Sequence, residues 1–302
     1  MSNPTALTPS NSSTNQLPYW PLAALGGLLV WAYLPMLSVF AEKWIHDPQY
    51  SHGLLVPIFS GFLLRRAWKA GPVAMNPMPI AGYGLLVAAL LMRAIAGSLL
   101  FHQLDAASLL LVFVAVSLIV GGRPFLRRTG PAIAFLVFMI PLPYELERNV
   151  GQPLKVAATA SSTYLLQTLG QPAIRDGNLI LIDEIRLGVV DACSGLKMLI
   201  TFAAFSVGAV LVLDRSRFEK LMVLLGIIPI AIVSNVIRIT VTGLTYTVVS
   251  NKGTLDFLHD FYGWLMMPVG LGLLALELWV LKKLVVEPAA PGIPVLRFPL
   301  PA

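Results

Sequence analysis

Charge and cysteine are what this chain has least of. Of its 302 residues, 12% are Asp, Glu, Lys or Arg, against about 25% in ordinary soluble domains. A surface so poor in charge does not keep a folded domain in solution. A soluble enzyme, a disordered tail and a fibrous protein are all disfavoured. The single cysteine, Cys193, excludes an intrachain disulfide and any cysteine-cluster metal site. Nothing in the sequence calls for a cofactor or a metal. The first twenty residues carry no charged side chain and are rich in Ser, Thr, Asn and Pro. They read as a flexible tail without the positive region of a signal peptide, so the first apolar segment is expected to be retained.

What the chain has in abundance is apolar sequence: 57% of residues are hydrophobic and the mean hydropathy is +0.78. Eight apolar segments run roughly over 20–40, 52–64, 79–100, 104–120, 131–143, 196–213, 221–249 and 262–281. Several approach the ~20 residues a helix needs to cross a bilayer; the second and fifth are short. The expected fold is an all-α membrane protein of about eight transmembrane helices. A tail over 1–19, a polytopic membrane domain over 20–282 and a cytoplasmic tail over 283–302 are expected.

The positions of the charges orient the chain. With the N-terminus in the cytoplasm, the inner loops hold Arg65, Arg66 and Lys69; Arg123, Arg127 and Arg128; Arg215, Arg217 and Lys220; and Lys282, Lys283 and Arg297. Each is a compact basic cluster, as the positive-inside bias requires. The much longer outer segments hold only Lys43, Arg148, Lys155, Arg175, Arg186 and Lys252, while Arg93, Lys197 and Arg238 fall within spans. The net charge of +6 is therefore a topology signal and not a nucleic-acid surface. Both termini are expected inside.

The one long non-spanning stretch, from Tyr144 to about Ala192, lies outside in this scheme. Leu154 to Leu169 interleaves apolar with Ser, Thr and Gln residues, which predicts an amphipathic helix on the membrane. Asn178 to Val190 predicts a β-hairpin turning at Asp183-Glu184. Its second strand delivers Asp191-Ala-Cys-Ser-Gly195 to the sixth segment.

Three polar residues stand out against the apolar background. Cys193 lies at the outer mouth of a helix, where unpaired N–H groups and the helix dipole favour a thiolate; the bland alternative is a small buried apolar residue. Arg238 lies roughly 17 residues from the inner end of the seventh segment, about 25 Å up at 1.5 Å per residue. An arginine at such depth is costly and usually faces a polar cavity, unless it snorkels to the headgroups. Asn235, one turn earlier, shares its face. His259 precedes the eighth segment, with Asp260 and Asp256 near enough to orient its ring; otherwise it is an ordinary surface histidine. The topology puts Cys193, Arg238 and His259 at one membrane depth. Acyl transfer by a thiol needs a base to make the thiolate and a fixed positive donor for the tetrahedral oxyanion. His259 and Arg238 suit those roles. The Ser194 hydroxyl or backbone N–H suits the oxyanion hole.

The run Ala192-Cys-Ser-Gly-Leu196, then Asn235-x-x-Arg238, then His259 resembles the exosortase/archaeosortase family of integral-membrane cysteine proteases and transpeptidases. Tyr50-Ser-His-Gly-Leu-Leu-Val-Pro57 and the Pro141-Leu-Pro143 exit of the fifth segment extend the resemblance over most of residues 20–282. It implies a substrate: secreted proteins ending in a Pro-Glu-Pro-type motif, a membrane helix and a basic tail. It implies cleavage near that motif through a Cys193 thioester and transfer to a cell-surface acceptor that the sequence does not identify. The setting implied is the inner membrane of bacteria that make extracellular polysaccharide, with the site facing the periplasm among membrane lipids. No nucleic acid is implied.

Other polar residues carry less. His52 is the second-best proton carrier. His46 and His102 read as loop residues, Arg93 as a snorkelling or paired charge, and Glu277 as a partner for a lysine near its helix end. Two rival readings remain open. A secondary transporter would use Arg238 and Arg93 to bind an anionic solute, but it predicts inverted repeats that the sequence does not show. A non-catalytic subunit of a polysaccharide-export assembly predicts that Cys193→Ala is harmless.

Overall fold

The structure is a computed structural model, describing residues 19–47, 50–188, 195–249 and 251–284. Among these residues, eight α-helices and a three-stranded sheet follow one another. The helices are α1 (Tyr19–His46), α2 (Leu55–Lys69), α3 (Pro79–Leu99), α4 (His102–Phe135), α5 (Tyr144–Thr168), α6 (Leu196–Val212), α7 (Arg217–Val248) and α8 (Lys252–Leu284). The strands β1 (Ala173–Asp176), β2 (Leu179–Ile182) and β3 (Ile185–Gly188) lie between α5 and α6.

Among the described residues, five helical segments are long and apolar enough to cross a membrane: Gly26–His46, Pro79–Leu99, His102–Met139, Arg217–Val248 and Lys252–Leu284. Large apolar side chains face outward throughout the bundle, among them Trp31, Ile80 and Trp264. A water-soluble fold would not tolerate so much exposed apolar surface; hydrocarbon is the solvent this exterior suits. Of the eight spans expected, two form helices shorter than the ~20 residues of a crossing. The second is the 15-residue α2, and the sixth is the 17-residue α6.

The fourth and fifth expected segments appear as one element, α4, interrupted at Gly122. Ser117 Oγ and Thr129 Oγ1 are 3.2 Å apart, although twelve residues of straight helix span about 18 Å. The chain therefore folds back at Gly122, and α4 is a helical hairpin. Its first half runs antiparallel to α3, where Gly82 abuts Ile119 and Arg93 meets Asp105. Its second half runs antiparallel to α2: Trp68 meets Phe125, Ser60 donates to the Ala132 carbonyl, and Phe59 packs on Phe135. Gly122 has φ 67° and ψ −157°, a region essentially closed to residues with a Cβ. A Cβ there would fall 1.7 Å from the Asn76 carbonyl oxygen. Gly122→Ala is expected to destabilise the protein by about 3 kcal/mol or more, read as loss of folded protein and a lower Tm in detergent.

Helices α7 and α8 pair antiparallel along most of their length. Thr245 Oγ1 lies 3.0 Å from Tyr262 Oη, Gly263 underlies Arg238, and Gly226 underlies Glu277. Lipid gives helices no hydrophobic reason to associate, so small residues that admit close approach and polar contacts hold such pairs together. Helix α7 begins where Ser216 and Glu219 form a reciprocal cap: Ser216 Oγ accepts from the Glu219 N–H at 3.2 Å, and Glu219 Oε2 accepts from the Ser216 N–H at 3.0 Å.

The insertion between α4 and α6 differs from expectation in extent. The hairpin forms as β2 and β3 around Asp183 (φ 51°), and β1 adds a third antiparallel strand through the turn at Gly177. The amphipathic helix starts ten residues earlier than expected, at Tyr144, and continues through Pro153. Its small-residue face packs on α7: Ser162 Oγ donates to the Val236 carbonyl at 3.4 Å, and buried Leu166 sits over Gly243. Ile182 of β2 also reaches Gly243. Helix α5 and the sheet thus brace the half of α7 that carries Asn235 and Arg238.

Candidate active site

Arg238 is buried in α7, with only 4% of its surface exposed. Its guanidinium lies across Gly263 of α8: a Cβ on Gly263 would stand 3.1 Å from Nη2. The cation therefore stays within the bundle and does not snorkel outward. The surrounding cleft is lined by Met198, Thr201 and Phe202 of α6, by Arg238, and by Gly263, Met266 and Met267 of α8. Its free volume is about 10 Å³, no more than one water needs.

Asn235, one helical turn before Arg238, is 1% exposed. Its side-chain amide nitrogen lies 3.1 Å from where a Cβ on Gly195 would stand, and Gly195 has φ 78°. Glycine is required there twice over, for the left-handed backbone and for the close approach of α7. Gly195 is two residues after Cys193 in the chain, so α7 reaches α6 at the end where the expected nucleophile enters. Cys193, Ser194 and Asp191 lie outside the described residues, as do the side chains of Lys197 and Asp256.

His259 sits near the start of α8, one turn before Gly263 and on the same face. Its side chain is 28% exposed, and Nδ1 is 3.3 Å from Asp260 Oδ1. The Asp260 side chain is 87% exposed, so it orients the ring from the periphery. The structure thus brings Arg238 onto the helix face that carries His259, and Asn235 onto the start of α6.

Of the remaining polar residues, His52 borders this cleft and the others lie elsewhere in the bundle. His52 is 4% exposed in a 3-10 turn, Ser51–Leu54, between α1 and α2. Its Nδ1 lies 3.3 Å from Oγ1 of Thr201, a wall of the Arg238 cleft. Sequence reasoning ranked His52 second and missed Thr201 and Gly263. The one available signal was the four-residue spacing of His259 and Gly263. Arg93 is paired: it lies 3.5 Å from Asp105, stacks 3.9 Å over Tyr33, and donates to the Ala32 carbonyl. Glu277 lies against Gly226 of α7, and among the described residues no lysine pairs with it. His46 and His102 are helix-terminal residues, closing α1 and opening α4.

These features define a class: a multi-pass membrane protein with an arginine held among three helices, on the α8 face that carries a histidine, and with a buried asparagine against the start of the helix that follows its single cysteine in the chain. The chain belongs to the exosortase family, since the family model for transmembrane exosortase matches residues 44–276. That match covers α2 to most of α8, and so includes every element of the cleft. Members of the family are in general cysteine transpeptidases acting on secreted proteins with sorting signals. No curated protein and no solved structure matches the chain.

Proposed function

We propose that this protein cleaves the C-terminal sorting signal of secreted proteins by cysteine acyl transfer, with Cys193 as nucleophile. The observation that carries this reading is the seating of Arg238 over Gly263, on the α8 face that carries His259, while Asn235 abuts Gly195 at the start of α6. His259 takes the Cys193 thiol proton and, held by Asp260, keeps it for the leaving amine. The sulfur attacks the scissile carbonyl, whose oxygen becomes an oxyanion beside the Arg238 guanidinium; Asn235 and Ser194 add donors. Collapse of the tetrahedral species expels the amine, which takes the proton from His259, and leaves a thioester on Cys193. An acceptor amine or water then resolves it, returning the thiol. Developing negative charge close to a fixed cation in a water-poor bundle is where such stabilisation is strongest.

The resemblance at the three positions supports a Pro-Glu-Pro-type motif followed by a membrane helix and a basic tail as the signal. The basic clusters support an orientation with both termini in the cytoplasm and the cleft on the periplasmic side of a bacterial inner membrane. A motif just outside a substrate's membrane helix would lie at the depth of the cleft. The test is co-expression with a tailed substrate, followed by mass analysis of both proteins. A substrate adduct on Cys193, released by hydroxylamine as a thioester is, is the expected result. Continued processing with no adduct and no dependence on Cys193 would overturn the proposal.

The seating of Arg238 gives a prediction of its own. Gly263→Val is expected to push the guanidinium out of the cleft and slow processing about 10-fold or more, since small displacements of catalytic groups have effects of this order. The Cβ meets only the far end of a flexible side chain, but valine's methyls also press on the close α7–α8 contact, so Tm in detergent is expected to fall somewhat and rates are compared per amount of folded protein. Equal rates for Gly263→Val and wild type would remove Arg238 from the reaction.

A further inference from the structure

Helix α6 is tied to the first half of the chain by polar contacts at Thr201, five residues in from its start, and at its C-terminal end, with a cavity between them. Thr201 Oγ1 meets His52 Nδ1 at 3.3 Å. At the C-terminal end, Arg66 donates to the Val212 carbonyl and lies 3.6 Å from Asp214. Eleven residues separate Thr201 from Val212, about 16 Å of helix. Over that length α2 and α6 stand apart around a cavity of about 670 Å³, walled by Val56 and Phe62 on one side and Phe205 and Ala209 on the other. Phe59 reaches across to Gly208 near the middle. Apolar packing inside lipid does not by itself close such a gap, so the polar contacts weigh heavily in where α6 sits.

The turn that presents His52 is itself built. Gly53 lies so close beneath the Trp44 ring that a Cβ would fall 2.3 Å from it. Trp44 Nε1 donates to the Met139 carbonyl at 3.0 Å, locking the ring to the segment after α4. Tyr50 is buried at the head of the turn, and the Gly53 N–H donates to its carbonyl at 2.8 Å. His52 therefore projects from a rigid corner of α1, the turn and the α4 exit. Thr201, which it holds, faces the Arg238 cleft.

We infer that His52 is a positioning residue for the reaction proposed above: with Thr201 it fixes the α6 wall of the Arg238 cleft, and with it the helix that follows Cys193 in the chain. The inference rests on that reaction and assigns His52 no proton-transfer step. A displacement of about 1 Å at a reacting group is enough to cost up to ~100-fold in rate.

The experiment compares single-turnover processing in membranes by wild type, His52→Leu, Thr201→Val and the double variant, with His52→Asn and Thr201→Ser as conservative replacements. Asn places an amide nitrogen near the Nδ1 position, and Ser keeps the hydroxyl. Each blocking variant is expected to slow the chemical step about 10- to 100-fold with KM changed less than about threefold. The double variant should be no worse than either single, and the two conservative variants should stay within about threefold of wild type. Multiplicative losses would overturn the inference. So would an active Thr201→Val beside inactive His52→Leu and His52→Asn, the pattern of a histidine acting on its own. The same panel is read without substrate by the rate at which a maleimide alkylates Cys193, the one thiol of the chain. The two blocking variants should shift that rate in parallel and the conservative ones restore it; four wild-type rates would overturn the inference. If Cys193→Ala still processes substrate, the acyl-transfer reading falls, and the alkylation rates still decide the role of His52.

Discussion

Cells carrying Cys193→Ala are expected to leave a tailed substrate at its full mass, with processing down by about 10⁴-fold or more, as when other covalent nucleophiles are removed. The chain holds no second thiol to stand in. Ser194 is adjacent, but an alcohol is a far weaker nucleophile near neutral pH than a thiol with a base beside it. Cys193→Ser is therefore expected to fail nearly as completely, because a hydroxyl at the same position still needs a much stronger base. Equal membrane levels of the variants, measured on the same samples, separate lost chemistry from lost protein. A reagent that labels thiols but does not cross membranes is expected to modify wild-type protein in spheroplasts, since the reading places Cys193 on the periplasmic side. Processing by Cys193→Ala at the wild-type rate would favour a non-catalytic assembly subunit.

Arg238→Lys is expected to reduce processing about 100- to 1,000-fold, the range seen when one oxyanion donor is lost, or ~2.7–4 kcal/mol of transition-state stabilisation. Lysine keeps the charge but not the planar fork, and its ammonium cannot lie flat across Gly263 as the guanidinium does. Arg238→Gln keeps two donors without the charge and is expected to lose at least as much. Substrate binding through the membrane helix should be little affected, so the loss falls on the chemical step and not on KM. Single-turnover rates at saturating substrate check this. Arg238→Lys within about threefold of wild type would reduce the arginine to a structural cation. A transporter of anions, by contrast, would tolerate lysine at a site that needs only positive charge.

Arg238, Asn235 and His259 could be picked out as candidates because membrane sequence makes polarity conspicuous. An arginine and an asparagine amid Ile, Val and Leu, and a histidine beside an apolar span, stand out in a way they never would in a soluble domain. The hairpin of β2 and β3 was legible for a related reason: a run of β-branched residues and leucines broken by Asp183-Glu184 has few other solutions. Strand β1 was not. Its four residues, Ala-Ile-Arg-Asp, carry too little alternation to be read alone, and only pairing with β2 defines them. The extent of α5 was hidden by Pro153, which reads as a breaker yet is accommodated within that helix.

The sequence by itself determined that the chain is a multi-pass membrane protein with several segments apolar enough to enter lipid, and which three side chains are candidates for chemistry. These are properties of composition and spacing, and lipid sorts them residue by residue. Only the tertiary structure decided that Arg238 lies across Gly263, that Asn235 meets Gly195, that Arg93 pairs with Asp105, and that His52 holds Thr201. The physical reason is that helices in lipid associate through close approach at small residues and through individual polar contacts. Those contacts join residues as much as 149 positions apart, as His52 and Thr201 are, and no periodicity along the chain encodes which helix faces which.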